Sequence, residues 1–202
     1  MSFQWVFDNA ETLSMDRRKM VATTTARDGM TRSVERGSQL YRFVVKLPDG
    51  IPWSILRPII SNLEYLDKLS TDKIYLNNSG YNWMVKYQGD SSNYAIATAS
   101  WTKNSNTITL NSGLTVSSGY RLRAGDFVQL GTGSTYNVAQ DVPMGSNSVI
   151  LHRPVKENTG SGSLYVAEGC SFNVKCQDFP SWTLMARDQV AWSGPFTFIE
   201  VP

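Results

Sequence analysis

Residues 121–155, RLRAGDFVQLGTGSTYNVAQDVPMGSNSVILHRPV, constrain the fold more than any other part of the chain. Side chains along a strand alternate between two faces. Phe127, Gln129 and Gly131 therefore share one face, and Val128 and Leu130 the other. The alternation breaks at Gly131-Thr132-Gly133, resumes at Tyr136 and Val138, breaks at Pro143-Met144-Gly145 and resumes at Val149 and Leu151. Glycine and proline in those gaps punctuate strands. The pattern predicts a three-strand antiparallel meander, and its short strands and polar turns suit a small barrel.

Aromatic residues support strands elsewhere: six Trp, nine Tyr and eight Phe accompany many Thr and Val. Charged residues make up only 18%, which argues against a disordered or coiled-coil chain. A length of 202 residues is enough for one large β domain or two small ones. The net charge of +2 supplies no global field of the kind nucleic-acid binders use. Residues 1–10 lack the basic and apolar segments of a secretory signal, and no stretch approaches the ~20 apolar residues of a membrane helix. Folding in a cytoplasm, without a membrane anchor, is the expectation.

Along the chain, FQWVF at 3–7 reads as a first strand and residues 8–19 as a loop or single helical turn. Asp28-Gly29, between runs of Thr, Val and Met, signals a hairpin, because a type I′ turn needs positive φ. Arg36-Gly37 is a second turn, and residues 40–47 form a strand ended by Pro48-Asp49-Gly50. One helix is predicted near 56–68, where Ile59, Ile60, Leu63 and Leu66 recur at helical spacing and Pro58 suits the first turn. Short strands follow at 73–76 and 83–87. Gly/Ser-rich joins at 89–92 and 157–163 bracket a compact block. The expected organisation is a split β-sandwich or barrel domain (1–87, completed by 159–202) carrying an inserted small β-barrel at 88–158.

Catalytic signatures fail one by one. No G-x-S-x-G elbow accompanies His152, the single histidine, which reads as a surface or interfacial residue at a strand end. The glycines at 131–133 join strand to strand, whereas a phosphate cradle needs a following helix. Asp126, after Ala124-Gly125, reads as a turn residue bonding its own backbone. Cys170 and Cys176 lie on one run, CSFNVKC, too far apart along a straight strand for a disulfide, and read as buried thiols. Two cysteines and one histidine are too few for a metal site. No catalytic residue, cofactor or metal is expected, so the chain reads as non-enzymatic.

The most basic region, 15–46, carries Arg17, Arg18, Lys19, Arg27, Arg32, Arg36, Arg42 and Lys46. It reads as a solvated strand face, an inter-subunit surface or, less well, a nucleic-acid surface. Six tryptophans exceed what one small core needs, which places some at domain or subunit contacts. The candidate interface residues are Trp5, Arg17, Arg18, Lys19, Arg32, Arg42 and Trp192.

The block RAGDFVQLGTGSTYNVAQDVPMGSNSVILHRPV, the hairpin TTTARDGMTRSVERGSQLYRFVVKLP and the ending DQVAWSGPFTFIEVP together resemble segments of bacteriophage tail proteins. In size and order the chain is most similar to the distal tail proteins of long-tailed siphophages. The resemblance implies a mainly β fold, in which a split β domain with one helix carries an inserted oligonucleotide/oligosaccharide-binding-like barrel. It implies a structural virion protein of the tail tip or baseplate, assembled in the host cytoplasm as a ring, usually a hexamer. Such a ring joins the tail tube protein to baseplate hub or tail fibre proteins, with DNA only as cargo through the channel. The alternative function is a carbohydrate-binding module on a phage baseplate, using barrel aromatics such as Trp101 and Tyr136. A glycan hydrolase with unrecognised carboxylates is a weaker third class.

Overall fold

The computed structural model describes residues 3–17, 21–27, 29–35, 39–66, 70–77 and 80–202. Strand outweighs helix, 42% against 16%, so the chain is mainly β, with one main helix and curled sheets. In chain order its first strands are β1 (Thr12–Asp16), β2 (Val21–Thr25), β3 (Thr31–Glu35), β4 (Arg42–Lys46), β5 (Ile51–Pro52) and β6 (Thr71–Tyr75). Then come β7 (Thr98–Trp101), β8 (Thr107–Ser112), β9 (Tyr120–Leu122), β10 (Phe127–Leu130), β11 (Thr135–Asn137), β12 (Val142–Pro143) and β13 (Ser148–Ile150). The last are β14 (Gly160–Val166), β15 (Ser171–Asp178), β16 (Trp182–Met185), β17 (Gln189–Trp192) and β18 (Phe196–Glu200). Helices are α1 (Gln4–Asp8) and α2 (Trp53–Leu66).

The first sheet is antiparallel, in the order β1-β4-β18-β15-β6. Alternation turns Phe43 and Val45 of β4 inward and leaves Arg42 and Lys46 exposed. Phe196 and Phe198 of β18 join the same core. Segment 3–7 is helical, not the strand its aromatics suggest. Phe3, Val6 and Phe7 stand at i, i+3 and i+4 and are fully buried, with Phe7 packed on Phe43 and Phe198 at ring distances of 5.6 and 5.0 Å. Residues 12–16, expected as loop or a single helical turn, form β1 at the sheet edge against β4.

Helix α2 covers this core with Leu56, Ile59, Ile60 and Leu63, a clean i, i+3, i+4, i+7 stripe. It begins earlier than its stripe suggests. Pro58 thus lies inside the helix, where its missing N–H removes one backbone bond. The start is held from outside: the Trp53 amide donates to the Asp188 carbonyl (3.0 Å) and Ser54 Oγ to Asp188 Oδ2 (3.0 Å). Trp53 stacks on Trp182 at 5.0 Å, tying α2 to the small sheet β16-β17-β5.

The second sheet runs β11-β10-β14-β7-β8-β13 and curls until its edges meet. A bridge pairs Val138 with Leu151, flanked by bonds from Ala139 N to Ile150 O (2.8 Å) and His152 N to Asn137 O (3.0 Å). The predicted meander is therefore only partly a meander. β10 and β11 form a hairpin, but β13 pairs along its length with β8 and meets the other edge only through that bridge. A separate ribbon, β9-β12, caps the curl.

β14 begins at Gly160, beyond the expected end of the insert at 158, yet it lies between β10 and β7 in this sheet. Its glycines are strand residues: Gly160 and Gly162 stand opposite Trp101 and Ala99, and a Cβ on Gly162 would lie 3.5 Å from the Trp101 ring. The second core accordingly spans Ala97 to Ala167, and the chain returns to the first sheet through the 3₁₀ turn Ala167–Gly169. Segment 83–87, read as a strand, is instead another 3₁₀ turn, Asn82–Val85.

Candidate functional site

The stretch that dominates the sequence lies where the two cores meet. All four residues of β10 are buried because each face has a different core to fill. Val128 and Leu130 enter the second core, while Phe127 enters the first, 6.2 Å from the Tyr41 ring and 5.9 Å from Phe172. Gln129 shares the Phe127 face and bonds across the seam. Its Nε2 donates to Ser171 Oγ (3.1 Å), and the Ser171 amide donates to its Oε1 (3.0 Å). On β11, Thr135 Oγ1 donates to the Ser171 carbonyl (2.7 Å) and Asn137 Oδ1 accepts from the Tyr41 hydroxyl. Gln129, Thr135 and Asn137 thus each find a partner on the other unit, which offsets their loss of water.

At the centre, Arg153 of the barrel meets Glu200 of β18, each side chain 2% exposed. The pair is bidentate, Nη1 to Oε2 at 2.7 Å and Nη2 to Oε1 at 2.5 Å. Arg153 also donates from Nη1 to the Gln39 carbonyl (2.7 Å) and from Nη2 to the Thr135 carbonyl (2.9 Å). The Tyr41 amide donates to Glu200 Oε2 (3.1 Å). The guanidinium carbon lies 5.4 Å from the Tyr41 ring and 5.0 Å from the Tyr136 ring, within cation–π range of both. Only a planar fork satisfies this carboxylate and these rings together; a lysine would forfeit the second oxygen.

The electrostatics follow from burial. Burial alone would lower the Arg153 pKa, but the Glu200 carboxylate outweighs it and the net shift is upward. Burial raises the Tyr41 phenol far above its ordinary range, against the opposing pull of Arg153. Tyr136 is raised by burial and by its bond to Glu157. Glu157 also accepts from the Ser134 amide (2.6 Å), so the glycine-rich turn at 131–134 holds the chain's own carboxylate. His152 sits at the same seam, beside Tyr41 at 5.6 Å, with Nδ1 accepting from the Asn137 amide (2.9 Å).

Other expectations resolve as follows. Asp126 is a turn residue accepting from the Arg123 amide (2.8 Å), and it also accepts from Gln88 N (3.0 Å) at the entry to the barrel. Cys170 and Cys176 are buried free thiols, and burial raises the Cys170 pKa well above normal. Tyr136, offered as a sugar-stacking residue, is fully buried, and Trp101 packs on the second core with Nε1 donating to the Asn158 carbonyl (2.9 Å).

The described candidate interface residues lie on several elements: Trp5 on α1, Arg17 after β1, Arg32 on β3, Arg42 on β4 and Trp192 on β17. Trp192 is 7% exposed and packs edge-on against Phe196 in the first core, 5.2 Å between rings. Trp5 is half-buried against that core, and Arg17 lies beside the Tyr41 phenol. Arg42 is exposed on β4 and Arg32 on β3. Arg18 and Lys19 lie outside the described residues. No motif singles out Arg153 or Glu200. One signal was present: Phe196, Phe198 and Glu200 share a strand face, and a carboxylate on an apolar face requires a cation.

The second feature is an arm. β2 and β3 pair antiparallel from Val21–Glu35 to Thr25–Thr31, turning through Gly29 at φ +80°. The hairpin expected around Asp28-Gly29 is thus present, although Asp28 itself lies outside the described residues. Among the described residues these two strands pair with each other alone, as a two-stranded sheet. Residues 23–27 and 29–32 are exposed. The Arg36-Gly37 turn falls outside the described residues.

No protein-family model matches the chain, and no curated protein matches it significantly.

Proposed function

We propose that the chain is a structural subunit of a phage tail tip or baseplate, as its resemblance to distal tail proteins implies. It would assemble with copies of itself into a ring between the tail tube and hub or fibre proteins. The observation that carries this reading is the β2–β3 arm. An isolated two-stranded hairpin is marginal in water, and its outer edges present unpaired backbone donors and acceptors. Packing or pairing on a neighbour would stabilise such an arm, and a heterologous contact of that kind gives a ring when its rotation closes. The buried seam supports the same reading. It fixes the barrel on the first sheet with a bidentate ion pair rather than a mobile linker, which suits a component that must hold its partners in register.

The test is the mass of the purified protein by light scattering and analytical ultracentrifugation, with and without purified tail tube and hub proteins. Rings in negative stain that disappear when 21–35 is replaced by a short Gly/Ser link support the reading. A wild-type monomer at every concentration that joins neither partner overturns it.

A further inference from the structure

We infer that the cleft around Trp83 is a binding site for a neutral saccharide, distinct from the arm and from the barrel aromatics. The cleft is open, about 300 Å³, and is lined by Asn77, Asn82, Trp83, Lys86 and Glu168. That volume lies at the lower end of the range for small-ligand pockets, room for one sugar ring with its neighbours in solvent. Three separate segments build it. Asn77 follows Leu76, which is buried in the first core at the end of β6. Asn82, Trp83 and Lys86 belong to the 3₁₀ turn and its C-cap, held by Val85 in the core and by the Tyr81 hydroxyl donating to the Glu11 carbonyl (2.5 Å). Glu168 sits on the turn by which the chain leaves the barrel, where Ala167 has φ +55°. The cleft thus lies at the chain's two crossings between the units.

Its chemistry points to a polyol. Trp83 is 67% exposed within this polar cleft, so its indole offers an open apolar face on which a ring can stack. A pyranose offers an apolar C–H face to such a ring and a rim of hydroxyls to the surrounding groups. Two amides, an ammonium and a carboxylate supply both donors and acceptors at that rim. Asn77 adds a side-chain amide to that lining. The single cation is opposed by Glu168, which disfavours a nucleotide or another strongly anionic ligand.

The experiment is a glycan array probed with the full chain, followed by titration of the best neutral oligosaccharide by calorimetry, with ADP as the anionic comparison. Neutral glycan binding is expected, weakened about tenfold or more by Trp83→Ala, partly retained in Trp83→Phe and lowered by Asn77→Ala. Tyr65→Ala, which removes another exposed aromatic (80% exposed, on α2), should leave it unchanged. Failure of the wild type to bind any neutral glycan, preference for ADP, or binding that survives Trp83→Ala overturns the assignment. So does a Trp83→Ala variant whose only defect is lost self-association. The outcome is independent of the ring, because an arm-deleted monomer should still bind.

Discussion

Replacing Glu200 by Ala tests whether Arg153 and Glu200 lock the two units together. The change leaves a guanidinium with 2% exposure, bonded to the Gln39 and Thr135 carbonyls but without a counter-charge. It also orphans the Tyr41 amide. Stranding one member of a buried pair costs about 3–5 kcal/mol. For a chain of this size that lowers the melting temperature by roughly 6–20 °C, at about 2–4 °C per kcal/mol. Removing both charges, as Arg153→Met with Glu200→Leu, should cost far less than either single change, because no desolvated charge remains. Urea unfolding supplies the measurement, followed by circular dichroism and by tryptophan emission. Five of the six tryptophans lie outside the barrel and Trp101 within it, so emission weights the first unit. The two signals should coincide in the wild type and separate in Glu200→Ala as the barrel loosens first. A single-variant loss below about 1 kcal/mol, or a double variant as damaged as the two singles summed, refutes the lock.

Two further outcomes test the interior. Tyr41 and Tyr136 both have pKa values raised by burial, so each stabilises the fold fully below its unfolded value near pH 10 and loses that contribution as the pH climbs above it. These two phenols together should contribute a fall of about 2.7 kcal/mol per pH unit above pH ~10, so Tyr136→Phe should make the slope shallower by about half of that; phenols that ionise normally in the native protein by ultraviolet absorbance would contradict this. Gly113 has φ +72°, and a Cβ there would lie 2.6 Å from Ala97 Cα and 2.9 Å from Ala97 N, whereas Gly145, at φ +89°, faces open space. Gly113→Ala should cost roughly 2–4 kcal/mol and Gly145→Ala about 1 kcal/mol in chemical denaturation; equal costs would show that the backbone contact is unimportant.

Local periodicity carried much of the architecture. The alternation at 127–130 and 135–137, the hairpin turning at Gly29 and the α2 stripe each depend on neighbours within a few residues, so sequence alone determined them. The same local view went astray where the signal was short. Residues 3–7 carry three buried apolar residues that fit a strand or one helical turn, and only their packing on Phe43 and Phe198 selects the turn. The two glycines of β14 read as a linker because what makes them strand residues, pairing with Trp101 and Ala99 of β7, involves residues some sixty positions away.

Only the tertiary structure decided what the opening stretch is for. Alternation assigns Phe127 and Gln129 to one face and Val128 and Leu130 to the other, but not which face meets solvent. Neither does: the barrel closes over one and the first sheet receives the other. Arg153 and Glu200 are separated by 47 positions, and no spacing rule joins them. Strand order and the crossings between sheets bring them together, and the cost of a buried unpaired charge keeps them there.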